Sequence, residues 1–443
     1  MTIKITILLF INLVVGILSL QMTQADINIP SEYVSEPNFI NMIFQNPTPS
    51  QTIYASQSGS GSTCSSSSPC SLSTAINKLK KGTKLLLKGG KYDVKKGVYI
   101  SASGAEGAYI VISSAPNEKA IITSSTKTGE IGLFQIEGSY IIIENLTFQD
   151  AQAKEAKGIS VTDGGQHHLI IRNNVFNNLR TTKIDEEYGA NAILLMGENK
   201  DGIKKAIIYG NTITNNVLGY SEALSVAGNC EEIYVLNNFV KDNSNIGIDF
   251  YGNAKYCSTP SLDQPRKSVA MYNHIEKSIS PYADCAGLYV DGSRDIYLAE
   301  NTILNSQYGI EIGAEEKNNA YPVKNIIIKN NTVQDNTETG IRLGGYDKSS
   351  SGLVRDCEFI GNTISGGNYG VIISKAENIM FSKNKFIGIK QYFINMEFTK
   401  TYTKDIKIEE NSFNGSGKFR IYGASKTISL SEFLKSYPSN TQN

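Results

Sequence analysis

The chain has 443 residues, with 42 basic and 42 acidic side chains, 24 Tyr and no Trp. This balance removes any global electrostatic case for a nucleic-acid partner. Only 19% of residues are charged, and the abundance of Asn, Gly, Ser and Ile suits strands and turns better than helices.

Residues 1–25 read as a secretory signal: Lys4 at the start, an apolar run from Ile5 to Leu20, and the small residues Thr23 and Ala25 before a cut. The run is short for a bilayer span, and no later segment is long and apolar enough to cross one. A secreted chain outside the membrane is therefore expected, and its six cysteines become disulfide candidates. Residues 26–50 carry Pro30, Pro37, Pro47 and Pro49 and read as an irregular leader lying on the first coils. Cys64 and Cys70 close a Ser-rich loop and are expected to pair. Residues 71–83 place Leu72, Ala75, Ile76 and Leu79 on one helical face, a cap for an open sheet end.

From about residue 84 the pattern becomes short strands, and a repeat appears. It consists of an apolar run, a variable pair, Asn, one residue, then a large apolar residue. The matched positions are Asn174, Asn211, Asn238, Asn273, Asn301, Asn331, Asn362, Asn384 and Asn411, with Leu146 in an earlier copy; intervals run from 22 to 37 residues. A second repeat, small–apolar–variable–apolar, follows about ten residues after each copy. Its copies include ALSV (223–226), GIDF (247–250), GLYV (287–290), GIEI (309–312) and GIRL (340–343). At least two strands per turn, joined by Asn- and Gly-rich bends, predict an all-β, right-handed parallel β-helix over 51–425, in which inward Asn residues of successive coils hydrogen-bond as a ladder. Residues 426–443 are left for a C-terminal cap and a disordered tail. Cys230 and Cys257 follow equivalent strands of neighbouring coils, a placement that allows them to pair across a turn; Cys285 is left open, and Cys357 reads as a buried thiol.

The third residue of the second repeat points away from the core. Along the stack this column reads Ser160, Leu194, Ser225, Asp249, Tyr289, Glu311, Arg342 and Ile372. Its middle is the part that suggests chemistry. Asp249, Asp291 and Glu311 form an acidic cluster, with Tyr220, Glu222, Asp284, Arg294, Glu315, Glu316 and Tyr346 in flanking turns. Carboxylates can hold Ca²⁺ through hard oxygen ligands, or cleave a glycosidic bond as a pair. Glu311 beside Arg342 also reads as a plain cross-strand ion pair. The three histidines, His167, His168 and His274, have no metal-ligand spacing.

Residues 54–125, with YASQSGSGS, LLLKGGKYD and GAEGAYIVISSAPNEKAII, resemble the N-terminal region of secreted pectate-lyase-like β-helix proteins. Residues 219–348, with NSNIGIDFYGN, AGLYVDGSRDIYLAENTI and GIRLGGYD, resemble right-handed β-helix repeat proteins, closest in style to family-nine pectate lyases. That resemblance implies a calcium site built from Asp side chains and a basic proton abstractor in a GFKLGG-like strand. Asp249 matches one ligand position and Arg342 the Lys-like position, while Asn245 and Ile246 replace the acidic pair before GID. The expectation is a monomeric lyase acting on an acidic, uronate-containing polysaccharide. Asp249, Asp291 and Glu311 would bind Ca²⁺, Arg342 and Glu311 would be catalytic, and Tyr289, Tyr346, Glu222, Tyr220 and Arg294 would contact substrate. A glycoside hydrolase using the same carboxylates and a non-catalytic glycan-binding wall protein are the alternatives.

Overall fold

The computed structural model describes residues 22–23 and 26–442. The predicted secretory signal lies outside the described residues except for Met22 and Thr23. Among the described residues no helix is long and apolar enough to cross a membrane.

The chain winds as a right-handed parallel β-helix with three faces. Sheet A has 13 strands, from Gln51–Ala55 to Thr403–Glu409; sheet B has 13, from Gly90–Asp93 to Thr441–Gln442; sheet C has 12, from Val98–Ile100 to Lys418–Arg420. In each repeating coil the apolar run of the first repeat forms the sheet A strand. The Asn turns the corner, a short strand joins sheet B, and the second repeat forms sheet C. The residue before each Asn is left-handed, as at Asn237, Tyr272, Glu300 and Lys383. That conformation costs a non-glycine residue roughly 1 kcal/mol, and the corner it makes brings the Asn side chain inside.

The ladder runs unbroken. Asn301 Nδ2 donates to Asn331 Oδ1 at 2.9 Å and to the Ala270 carbonyl at 2.9 Å, and Asn301 Oδ1 accepts from the Asn273 main-chain N–H at 3.0 Å. Asn440 adds a rung beyond Asn411 at 3.0 Å, and Thr441–Gln442 pairs with Ser412–Phe413. The expected disordered tail is therefore corrected to an ordered last strand. A second ladder, absent from the sequence reading, links Asn216 Nδ2 to Asn243 Oδ1 at 2.7 Å at the corner between sheets B and C.

Both ends are closed. At the start, Leu72–Ile76 forms a helix shorter than the periodicity suggests, with the Ser71 hydroxyl accepting from the Thr74 N–H and with Leu72 and Ala75 buried. At the other end Leu430–Ser436 is a helix with a Ser429/Glu432 capping box, and Phe433 stacks on Phe419 at 3.8 Å.

The leader reaches further than the first coils. The Asp26 carbonyl accepts from Tyr272 Oη at 2.8 Å, the Tyr33 carbonyl accepts from Tyr234 Oη at 2.8 Å, and the Tyr33 and Tyr297 rings lie 5.5 Å apart. From there it runs down the outer face of sheet A as a strap containing the short helix Pro37–Asn41. It is fastened where Arg172, paired with Glu144, donates to the carbonyls of Met42, Ile43 and Gln45. The cause is the composition of that face. Ile142, Ile170, Ile207, Leu236 and Val269 point outward, and the strap's Tyr33, Phe39 and Ile43 cover them.

Cys64 and Cys70 form a disulfide. Cys230 and Cys257 do not, which corrects that reading: Cys230 packs in the main core, whereas Cys257 lies outside it in the excursion between sheets C and A. Cys285 and Cys357 are also buried thiols. Alkylation in denaturant without reductant is therefore expected to modify four cysteines, as read by intact mass; two would signal a second disulfide.

Candidate active site

The column on sheet C has the register the repeat implied. Ser225 lies opposite Asp249, Asp249 opposite Tyr289, Tyr289 opposite Glu311, and Glu311 opposite Arg342. Asp291 lies opposite Tyr251 below and Gly313 above, on the same face as Tyr289. Successive coils are about 4.8 Å apart, so Asp249 and Glu311 stand two steps apart.

These side chains point away from the core, yet they do not lie open to solvent. Asp249 and Asp291 are 2% exposed and Tyr289 is 5% exposed. Excursions from sheet C to sheet A, such as residues 252–267 and 314–322, build a wall beside them. From that wall Glu315 comes back over the column. Its Oε1 accepts from Tyr289 Oη at 3.1 Å, and its main-chain N–H donates to Asp291 Oδ1 at 3.0 Å. Tyr256, on the excursion below, meets the Tyr251 ring edge-on at 5.5 Å. The result is a groove with a carboxyl floor and tyrosine sides. Its more open end is marked by Glu311, Arg342 and the exposed Tyr346 ring.

The floor is crowded with like charges. Glu222 joins it from the preceding turn, and burial pushes its carboxyl up to about 7. Burial, then the neighbouring Glu222 and Asp291, raise Asp249 well above the usual carboxylate range. Burial and Glu315 do the same to Asp291. Burial pushes Glu311 up to about 8, although Arg342 Nε lies 3.5 Å away and opposes the shift. Burial would lower the Arg342 guanidinium, but Glu311, with Tyr308, Glu397 and Asp284, holds it above its ordinary value. The guanidinium also lies 5.5 Å over the Tyr308 ring. Arg342 therefore stands beside Glu311 as a paired cation.

Other expected residues separate from the groove. Tyr220 packs on Tyr282 at 5.0 Å in the turn between sheets B and C. Arg294 belongs to the next sheet A strand and pairs with Asp295, so it is not placed as a substrate contact. Sequence reasoning had seen Glu315 only as a turn residue and had passed over Tyr256. Their signal was the length of the excursions that carry them, since long repeat intervals mark coils with walls.

Calcium fits poorly. Among the described residues no group of three or more His, Cys, Asp or Glu side chains is set to hold a metal ion. Ca²⁺ needs six to eight oxygens at about 2.3–2.6 Å. Here Tyr289 stands between Asp249 and Glu311, and the Asp291 Oδ1 atom already accepts a main-chain hydrogen bond.

Residues 53–306 match the model of the Pel9A-like, right-handed β-helix region, and residues 268–433 match a right-handed β-helix region model. Uncharacterized protein YwoF of Bacillus subtilis (strain 168) is 28% identical over 349 residues, which span 74% of this chain and 73% of that protein. Among solved structures, the Dettilon tailspike protein gp208 aligns with a TM-score of 0.54 at 15% identity, over 88% of this chain and 68% of its own. A hyperthermoactive exopolygalacturonase from Thermotoga maritima aligns with a TM-score of 0.53 at 10% identity, over 89% and 97%. At such identities the structural likeness is one of fold. The first family model spans more than half of the chain and includes the coils of Asp249, Tyr289 and Asp291, and on that match the protein belongs to the Pel9A-like right-handed β-helix family.

Proposed function

We propose that the protein is a secreted carbohydrate-active enzyme that cleaves a uronate-containing polysaccharide lying along the sheet C groove. The observation that carries this reading is one half-buried carboxyl, Glu311, held beside a fixed cation and next to a second carboxyl, Asp291. Family membership and the exopolygalacturonase-like fold support a carbohydrate role.

The chain's own groups divide the work as follows. Glu311 stays protonated at neutral pH and donates its proton to the leaving glycosidic oxygen. Asp291 lies one coil down and two residues along, on the order of 8 Å away by strand spacing. That separation leaves room for a water, which Asp291 in its ionised form orients and deprotonates, as in inverting hydrolysis. Arg342 takes a sugar carboxylate, and Tyr289 and Tyr346 contact sugar faces. Glycosidic oxygen gains the Glu311 proton as its bond to the anomeric carbon breaks, and water supplies hydroxyl to that carbon.

Metal-assisted β-elimination is the second reading. It is favoured by Arg342 at the Lys-like position of GIRLGG, a site for neutralising a uronate carboxylate. Pectate, alginate and glycosaminoglycans, each with calcium and with chelator, separate the two. New reducing ends without ultraviolet-absorbing unsaturated product, unchanged by chelator, are expected. Unsaturated product lost on chelation would select the lyase, and binding without turnover would select a glycan-binding protein.

A further inference from the structure

Among the described residues the acidic end of the groove lacks a counter-ion. Asp249 is 2% exposed, and its Oδ1 atom has no hydrogen-bond partner among the described residues. It faces Glu222, Asp291, Glu311 and Glu315, all of its own sign. Arg342 is three coils away and already paired with Glu311. A buried acceptor left without a donor costs about 1–3 kcal/mol, and a ligand that supplies N–H or O–H groups relieves it. The surroundings narrow the ligand's chemistry. Several carboxyls beside the rings of Tyr251, Tyr256 and Tyr289 attract a cation through charge and through the aromatic faces. A bare metal ion needs a tight convergence of oxygens that the column does not provide. An ammonium needs only hydrogen-bond lengths of about 2.7–2.9 Å to carboxylates, and it is carried on a carbon frame that can lie against tyrosine.

We propose that the Glu222–Asp249 end of the groove binds the ammonium group of an amino sugar. Resting on the glycan-cleaving reading, this specifies the substrate further: a polysaccharide with free amino groups, seated with an amino sugar at Asp249 and a uronate at Arg342. The groove is then matched to a zwitterionic chain, basic unit toward the lower coils and acidic unit toward the upper ones. Such a substrate removes the conflict between a carboxyl-lined floor and a purely anionic polymer, which the floor repels.

Calorimetric titration of the full chain with a glucosamine oligomer, its N-acetylated counterpart, and calcium chloride tests the assignment. The free-amine oligomer is expected to bind about tenfold or more tightly than the acetylated one, the scale of a charge-assisted hydrogen bond. Asp249→Asn abolishes that preference and keeps the thermal transition, because no hydrogen bond to Oδ1 is lost. Glu222→Gln gives the same readout from a second position if Asp249→Asn fails to fold. Equal binding of the two oligomers, no binding of either, or one-to-one calcium binding that Asp249→Asn removes each overturns the proposal. Cleavage of a uronate polymer together with equal oligomer binding would leave the enzyme reading intact and refute the ammonium site alone.

Discussion

Glu311→Gln is expected to lower kcat by roughly 10² to 10⁴-fold while leaving KM and the circular dichroism spectrum near those of the parent. Gln preserves the shape of the side chain on its sheet C strand and cannot give a proton to a leaving oxygen. The pH profile makes the claim more specific. Burial raises the Glu311 carboxyl to about 8, so the acid is present below that pH and lost above it. Parent activity should therefore fall on the alkaline side as pH passes through about 8. In Glu311→Gln the alkaline limb should vanish from the residual rate. A variant with full activity, or with an unchanged alkaline limb, would exclude Glu311 as the acid.

The largest effect on stability is expected at the middle of the ladder. Asn301→Ala removes the acceptor for the Asn273 main-chain N–H and side-chain amide, at 3.0 and 2.9 Å, and the donor to the Ala270 carbonyl and to Asn331 Oδ1, both at 2.9 Å. The groups left behind are shut away from water, since Asn273 and Asn331 are each 1% exposed. At about 1–3 kcal/mol for each unsatisfied group, the loss should be roughly 3 to 5 kcal/mol. Asn440→Ala is the control, because it ends the ladder and strands one Asn neighbour, Asn411, where Asn301→Ala strands two; its other partners are the Ile408 and Tyr437 carbonyls. Equilibrium denaturation with both variants checks the contrast; equal losses at the two positions would mean that stacking, not the amide network, holds the corners.

The fold was legible because a parallel stack imposes one rule on every coil. Each Asn faces the same corner as the next, so a single chain carries many copies of one message. The column Asp249–Tyr289–Glu311–Arg342 followed from that register. The strap did not, because its partners are scattered across seven coils. The only hint was that strands such as LIIR and AIIY are apolar on both faces. The groove's walls were hidden for a related reason: excursions have no repeat, so nothing in the spacing told where Glu315 or Tyr256 would fold back. Cys230 and Cys257 misled because equivalent strand ends look like neighbours in a register table, although one thiol faces the core and the other lies outside it.

The strap also bears on how the molecule comes together. Ladder contacts join residues 22 to 37 apart, so coils can add one at a time as in other linear arrays. Asp26 and Tyr272, by contrast, are 246 residues apart. The strap, which precedes those coils in the chain, cannot dock until the coils of Tyr272 and Tyr297 exist, which makes its closure a late, high-contact-order event. Once docked, it ties coils that otherwise touch only their neighbours into one cooperative unit. Amide exchange in sheet A between Arg172 and Tyr297 should then slow together, not coil by coil. The chain in effect fastens its own middle with its beginning, and local opening near the groove becomes coupled to release of the N-terminal segment.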